Sequence, residues 1–405
     1  MKEIHSIIDT LSQKSDSKIV MLVADGLGGM PMTPDGKTEL ETAKMPNLDK
    51  IVPASQIGLL DPVQPGITPG SGPGHLGIFG YDPLEANIGR GVLSALGVNF
   101  DLKHGDLCAR INLCTIDGNG IITDRRAGRI ATDQNIRIMK KLNENINVPD
   151  GVQLFLETEK EHRAGMVLRG KKFYADIADT DPQKTGLAPL DPVASDPAKG
   201  EETVEILKDI IAQAKAILAD EPQANMMLLR GFAEYSQYPT MQERFKMKSL
   251  ALATYPMYRG LAKLIGMDVN WNISTMEEQL DELKKQFNNY DFFFIHIKKT
   301  DSYGEDGNFE QKVKVIESID TMIPKILELN PDVLILTCDH STPAKMKAHS
   351  WHRIPSLIYS QWCRPDRIST FNEYTCRGGS LTGLATKHLI PIAMAHAGKL
   401  AKFGA

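Results

Sequence analysis

Three aspartates each close a short apolar run in this 405-residue chain. The runs are Lys18-Ile-Val-Met-Leu-Val-Ala-Asp25, Asp291-Phe-Phe-Phe-Ile-His-Ile-Lys-Lys-Thr-Asp301 and Asp332-Val-Leu-Ile-Leu-Thr-Cys-Asp339-His340. A fourth segment, Thr68-Pro-Gly-Ser71-Gly-Pro-Gly-His75-Leu-Gly-Ile-Phe-Gly80, forces a tight bend ahead of a helix-like apolar pattern. Ser71 is thus expected near a helix N-terminus, where free N–H groups and the macrodipole favour a phosphoryl group; its plainer role would be to cap that helix. A serine hydroxyl needs a base or a metal to become a nucleophile. No Gly-x-Ser-x-Gly elbow is present, and the nearby chemistry is carboxylate and imidazole: Asp25, Asp301, Asp339, His340, and His349 or His352. Such mixed ligands suit Mn²⁺, Zn²⁺ or a similar ion. Two such ions close together clamp the attacking and leaving oxygens of an in-line displacement. Taken singly, an aspartate after a strand is an ordinary helix cap and a lone histidine an ordinary surface residue. The adjacent Asp339-His340 pair after a buried run is the more specific signal.

Phosphoryl transfer also calls for cations that hold oxyanions without consuming protons. Arg125, Arg126, Arg129, His162, Arg163, Arg169 and Arg230 supply them in the middle of the chain, and the guanidinium fork suits phosphate and carboxylate alike. Any one of these taken alone reads as a solvated surface arginine. Lys298 and Lys299 lead into Asp301, and alternation along a strand lets only one of them face the site.

The elements that would position these groups are strands. Continuous apolar runs of this length suit strands buried on both faces, as in a parallel sheet covered by helices. Phe309 to Leu329 has the pattern of an amphipathic helix between the second and third runs. In open α/β sheets ligands bind beyond the carboxyl ends of the strands, so three acids at three such ends are expected to converge. Residues 101–240 look different, with weaker strand candidates (Ala109–Ile116, Val152–Leu156, Gly165–Leu168), a Pro/Asp-rich stretch from Asp179 to Pro197 and a helical pattern from Glu201 to Leu218. The expected organisation is a discontinuous metal-binding domain over 1–100 and 241–405, with an inserted smaller α/β domain over 101–240.

Composition narrows the partners. A net charge of −5 with scattered basic residues argues against a nucleic-acid-coating surface, but a small anionic substrate needs only a local cluster. Five cysteines without a Cys-x-x-Cys pair point to a reducing compartment and away from a disulfide framework. No apolar run has the length of a membrane span and the N-terminus lacks a signal-peptide core, so a cytoplasmic location is expected.

The motifs together resemble the archaeal-type, cofactor-independent phosphoglycerate mutases, a branch of the alkaline phosphatase superfamily. The resemblance rests on Val-Ala-Asp25-Gly, Thr42-Ala-Lys-Met-Pro46-Asn47, the Ser71 segment, Phe79-Gly-Tyr-Asp-Pro83 and Gly89-Arg-Gly91. It continues through Asp124-Arg-Arg-Ala-Gly-Arg129, His162-Arg163, Asp179-Thr-Asp181-Pro, Leu229-Arg-Gly231, Asp339-His-Ser-Thr-Pro343 and Ala348-His349-Ser350 to the Phe403-Gly-Ala405 finish. It implies an alkaline-phosphatase-like sheet flanked by helices with an inserted substrate-clamping domain. It implies that Ser71 accepts the phosphoryl group of 3-phosphoglycerate and returns it to give 2-phosphoglycerate, without 2,3-bisphosphoglycerate. Asp25, Ser71, Asp339 and His340 resemble the ligands of one divalent ion, and Asp301 and His349 two ligands of the other. The ions are expected to be manganese, with zinc, magnesium or cobalt as alternatives. The resemblance assigns His75 and the seven cationic residues above to a small phosphorylated acid substrate. One departure stands out: relatives read Asp-x-x-Gly-His-Asp-Gly where this chain reads Asp301-Ser-Tyr-Gly-Glu305-Asp-Gly, so Glu305 takes the place of a metal-binding histidine and would favour harder ions. Trp351-His352-Arg353 likewise replaces a more acidic stretch. The same serine and metals would equally serve a phosphatase, phosphonate hydrolase or sugar-phosphate mutase of that superfamily.

Overall fold

A computed structural model describes residues 4–85 and 88–404. By contacts the chain forms two compact units, one of residues 1–87 with 239–405 and one of Ile88–Tyr238.

The larger unit is built on a seven-stranded sheet in the order Gln56–Leu60, Ile354–Tyr359, Val333–Thr337, Ile19–Ala24, Phe292–Ile297, Ser249–Ala253, Asp268–Val269. Only Ile354–Tyr359 runs against the others, so the sheet is mixed but mostly parallel. The three runs predicted as strands lie side by side at its centre. Every residue of Ile19–Ala24, Phe292–Ile297 and Val333–Thr337 is buried, as strands covered by helices on both faces must be. The pairing Ala24 with Ile297, and Val23 with Thr337, brings Asp25, Lys298 and Cys338 to one end of three adjacent strands about 4.8 Å apart.

The covering helices carry ordinary start signals. Thr275 and Glu278 form a capping box for Met276–Gln286, and Asn308 caps Phe309–Asp320. The helix expected over 309–329 is interrupted: Phe309–Asp320 ends and Met322–Leu327 begins after Thr321, with Pro324 in the second piece. A proline ring has no N–H to offer and excludes the carbonyl four residues earlier, so a continuous helix is disfavoured there.

The smaller unit is a five-stranded antiparallel sheet of Leu107–Ile116, Ile122–Asp124, Gln153–Lys160, Arg163–Arg169 and Met226–Glu234. The helices Thr132–Asn145 and Pro197–Ile217 share one core with it through Ile138, Leu142, Leu207, Ile210, Met227 and Leu229. The unit starts at Ile88, earlier than residue 101, because the helix Arg90–Gly97 packs on its sheet. Gly91 makes this possible, since a Cβ there would stand 2.5 Å from the Ala109 backbone.

Candidate active site

Ser71 is the first residue of the helix Ser71–Ile78; Gly70 occupies the cap position and no side chain caps the helix end. The hydroxyl is therefore not engaged in capping. Its Oγ lies 3.4 Å from Nε2 of His340. That nitrogen is 3.1 Å from Oδ2 of Asp339 and 3.4 Å from Oδ1 of Asp25. The helix approaches this closely through Gly74, where a Cβ would meet the Asp339 carbonyl oxygen at 2.4 Å.

Asp301 sits in the first turn of the helix Lys299–Glu305, one short turn beyond the strand end at which it was expected. It lies 3.5 Å from Nε2 of His349 and 3.9 Å from Nδ1 of His340, and the two imidazoles stack with centroids 3.6 Å apart. Two groups of potential metal ligands result: Asp25, Asp339 and His340, and Asp301, His340 and His349, the ligand atoms of each lying within 4.8 Å of one another.

Hydrogen bonds fix the imidazole tautomers. Thr342 Oγ1 donates its proton to Asp301 at 2.6 Å and so accepts from Nδ1 of His340 at 2.9 Å. Nδ1 of His349 donates to the Pro69 carbonyl at 3.0 Å. In both rings the lone pair is left on Nε2, which faces carboxylates, as a cation ligand requires. Burial holds His340 below its ordinary pKa despite the upward pull of Asp339 and Asp25, which keeps it neutral. The carboxylates are the opposite case. Burial would raise Asp25, yet Lys298, His296 and His340 hold it well below the usual range. Burial and Asp25 would raise Asp339, and His340 and His75 bring it down. Both oxygens of Asp25 and Oδ2 of Asp339 are nevertheless buried without a hydrogen bond of acceptable geometry among the described residues. A pair of ionised, fully buried carboxylates with unused lone pairs costs several kcal/mol unless a cation is coordinated. The donor set fits divalent cations.

Glu305 is exposed, with Oε1 3.8 Å from Nε2 of His349, at the edge of the second group rather than within it. His352 stands apart, bonded to Ser350 and stacked on Trp351. His75, assigned above to substrate, is fully buried; its Nδ1 donates to the Ser71 carbonyl at 2.9 Å and lies 3.1 Å from Oδ2 of Asp339. It belongs to the Ser71–Ile78 helix itself and faces Asp339 from there. Of the two lysines, Lys298 faces the site. Its ammonium is 3.2 Å from Asp25 and 3.1 Å from the Tyr258 hydroxyl and pairs closely with Asp301, whereas Lys299 is exposed. Burial would depress the Lys298 pKa, but Asp25, Tyr258 and Asp301 raise it.

Several residues around the site carried no sequence signal. His296, in the run Phe292–Ile297, places Nε2 3.2 Å from Asp25 and stacks on Tyr258 with centroids 3.7 Å apart. Thr342 links both histidine–carboxylate groups. In sequence His296 is one polar residue in a buried strand and Tyr258 looks like an ordinary helix residue, while Thr342 stands out only as part of the Asp339–Pro343 motif.

The cationic residues lie in the smaller unit and fall into two kinds. Arg125 is bidentate on Asp181, Arg169 is bidentate on Asp106, and Arg230 reaches Asp179 and Asp181 at 3.3 Å each. Their charge is already matched. Arg126, Arg129 and Arg163, with Arg110, which lies 3.9 Å from Glu159, act electrostatically on the buried His162, whose Nδ1 has no hydrogen-bond partner among the described residues. Burial and these four arginines push the His162 imidazole down to about 4. Clustered arginines give the local positive potential that attracts small anions.

Comparison with known proteins agrees with this chemistry. A family model for 2,3-bisphosphoglycerate-independent phosphoglycerate mutase matches residues 53–224. The probable 2,3-bisphosphoglycerate-independent phosphoglycerate mutase of Aquifex aeolicus is 49% identical over 98% of this chain and the whole of that protein. The protein of the same description from Thermus thermophilus is 47% identical over the full length of both. Among solved structures, the PH0037 protein of Pyrococcus horikoshii superposes with a TM-score of 0.82 at 28% identity, covering 96% of this chain and 99% of that one. The cofactor-independent phosphoglycerate mutase of Thermoplasma acidophilum gives a TM-score of 0.68 at 27% identity, covering 94% of this chain and all of that one. No helix among the described residues is long and apolar enough to cross a membrane. With two potential metal groups beside a serine hydroxyl that caps no helix, and full-length likeness to these relatives, the chain belongs to the 2,3-bisphosphoglycerate-independent phosphoglycerate mutase family and has the machinery of its metal-dependent phosphotransfer chemistry.

Proposed function

We propose that the protein interconverts 3-phosphoglycerate and 2-phosphoglycerate through a phosphoserine at Ser71, without 2,3-bisphosphoglycerate. The observation that carries this reading is the Ser71 hydroxyl, free of any capping role and 3.4 Å from a neutral His340 that also faces two ionised carboxylates. Divalent ions at Asp25, Asp339 and His340 and at Asp301 and His349 would lower the pKa of the serine hydroxyl and neutralise phosphoryl oxygens. Manganese is the ion that best suits a donor set of carboxylates and imidazoles with Glu305 at its edge.

In the forward direction the Ser71 oxygen forms a bond to phosphorus as the bond from phosphorus to the C3 oxygen breaks. Glycerate stays bound and turns. Its C2 hydroxyl then forms the new bond to phosphorus as the serine–phosphorus bond breaks. Lys298, which is half-buried and charged, is suited to the negative charge that gathers at this step. Retention of glycerate between the two steps requires groups that hold its carboxylate. Arg126, Arg129, Arg163 and His162 suit that anion-holding role by the chemistry of their side chains; Arg125, Arg169 and Arg230 would brace the surrounding structure. His75 would act through Asp339.

An enolase-coupled assay with Mn²⁺ and no added bisphosphoglycerate tests the proposal. Turnover abolished by EDTA and by Ser71→Ala is the expected result. Activity that needs added bisphosphoglycerate, or that survives exhaustive chelation, would refute it.

A further inference from the structure

The helix Phe309–Asp320 buries Lys312 completely beside Val313, Ile316 and Ile319, at a position where packing calls for an apolar residue. Its ammonium is not seated on a carboxylate. It donates to three backbone carbonyls: Thr342 at 2.8 Å, Gly26 at 2.9 Å and Gly28 at 3.2 Å. The nearest carboxylate, Glu39, is 3.8 Å away, and its oxygens accept the backbone N–H groups of Ala344 at 2.7 Å and Met30 at 3.2 Å. An ammonium has three donors, and all three are matched by carbonyls. Three converging carbonyls with a carboxylate one step further out form the kind of cage that takes a monovalent cation.

The carbonyls come from the two segments that carry the candidate metal ligands. Gly26 directly follows Asp25. Thr342 is two residues beyond His340, and its hydroxyl holds both Asp301 and His340. The Thr342 N–H also reaches the carbonyls of Gly26 at 3.2 Å and Gly28 at 3.1 Å, so this backbone contact and the lysine tie the same three residues together. Gly26 has φ +65°, and a Cβ there would stand 2.5 Å from Thr342 Oγ1, so the two segments cannot be held apart by a larger residue.

We propose that Lys312 is a positioning residue for the two-cation centre, its ammonium acting as a built-in monovalent cation that pins the segment after Asp25 to the segment after His340 and so sets the spacing of the ligands. The inference rests on the two-cation reading of the site. A purely packing role would need only the four-carbon stem. Positioning needs the charge, because carbonyl oxygens converging without a cation repel one another.

Two variants separate these roles. Lys312→Met keeps the stem volume and removes the charge; Lys312→Ala opens a space that ammonium or potassium ions can enter. Calorimetric titration with Mn²⁺, thermal melts in EDTA and the mutase assay are applied to the full chain. Outer-shell groups that orient metal ligands typically change metal affinity by roughly 10–100-fold, and a weakening of that size is expected for Lys312→Met, with kcat lowered and KM for phosphoglycerate little changed. Ammonium or potassium added to Lys312→Ala is expected to restore Mn²⁺ affinity and activity, while tetramethylammonium at equal ionic strength does not. Wild-type Mn²⁺ affinity and kcat in Lys312→Met would overturn the proposal, and so would a folded Lys312→Ala insensitive to small cations. If the alanine variant does not fold, the methionine variant alone decides. Wild-type protein that binds Mn²⁺ but lacks mutase activity would refute the proposed reaction and leave the calorimetric comparison to judge Lys312.

Discussion

Replacing Gly74 with alanine perturbs the spacing of the site without replacing any proposed ligand. The new Cβ would lie 2.4 Å from the Asp339 carbonyl oxygen, 3.0 Å from its carbonyl carbon and 3.1 Å from its Cβ. Comfortable carbon contacts need about 3.5 Å, so the Ser71–Ile78 helix and the Asp339–His340 segment must separate by about 1 Å. Alanine in a helix is favoured over glycine by about 1 kcal/mol, and overpacking costs roughly 1–3 kcal/mol. The net loss of stability is therefore small, about 0–2 kcal/mol, and the variant folds. Activity responds far more. A misplacement of about 1 Å between reacting groups costs on the order of 10²-fold in rate. The enolase-coupled assay run beside a thermal melt reads both quantities. A variant melting close to wild type with kcat down by about two orders of magnitude is expected. Turnover within about twofold of wild type would show that the closeness of Ser71 to His340 does not matter for the reaction, and the argument from geometry would fail.

Other outcomes follow from the same site. Glu305→His is expected to shift metal preference toward zinc over magnesium while preserving turnover, as softer nitrogen replaces oxygen; unchanged metal content and rates across Mn²⁺, Zn²⁺ and Mg²⁺ would clear Glu305 of any part. The His162 imidazole, held at about 4, is expected to move up toward its ordinary value when phosphoglycerate neutralises the arginines around it, read by NMR titration; an unmoved resonance with ligand bound would count against the anion site. Burial raises Glu373 from 4.5 to about 7 even though Thr38, the Gly29 N–H and Lys312 pull it down. A carboxyl with a raised folded pKa binds its proton more tightly when folded, so its contribution is full below pH 4.5 and drains as pH climbs to about 7, on the order of 3 kcal/mol in all. Glu373→Gln is expected to flatten that slope in chemical-denaturation curves collected from pH 4.5 to 8, and an unaltered slope would assign it to another group.

The acids of the site were legible because each ends a continuous apolar run, a pattern that fixes both the strand and the end of the sheet it reaches. Ser71 was legible because glycines and prolines leave few conformations for its loop. Asp301 was placed a turn too early, since the strand gives way to a helix at Lys299 and nothing in the composition marks that change. The same transition decides that Lys298 and not Lys299 faces the carboxylates, a choice that alternation alone leaves open. The neighbours of the site were invisible for a different reason. His296 and Lys312 are polar residues in apolar patterns, and only three-dimensional proximity shows what they face. The arginine pairs span 49 to 63 residues of sequence, so which acid each arginine meets cannot be read along the chain. The strands Gln56–Leu60, Ser249–Ala253 and Ile354–Tyr359 were missed because Gln56 and Gly58, Ser249, and Pro355 and Ser356 break up their apolar runs.

The central strand of the larger sheet has a consequence for biosynthesis. Ile19–Ala24 pairs on one side with Phe292–Ile297 and on the other with Val333–Thr337, so both its neighbours leave the ribosome long after it does. At roughly 5–20 residues per second that delay runs to tens of seconds. Through it, a sticky hydrophobic segment with open edges is without its native partners, a state prone to association with other nascent chains. Acquisition of inorganic ions must come later still, once translation has passed His349. On the proposed two-cation reading, a completed chain without its ions would be unable to turn over substrate.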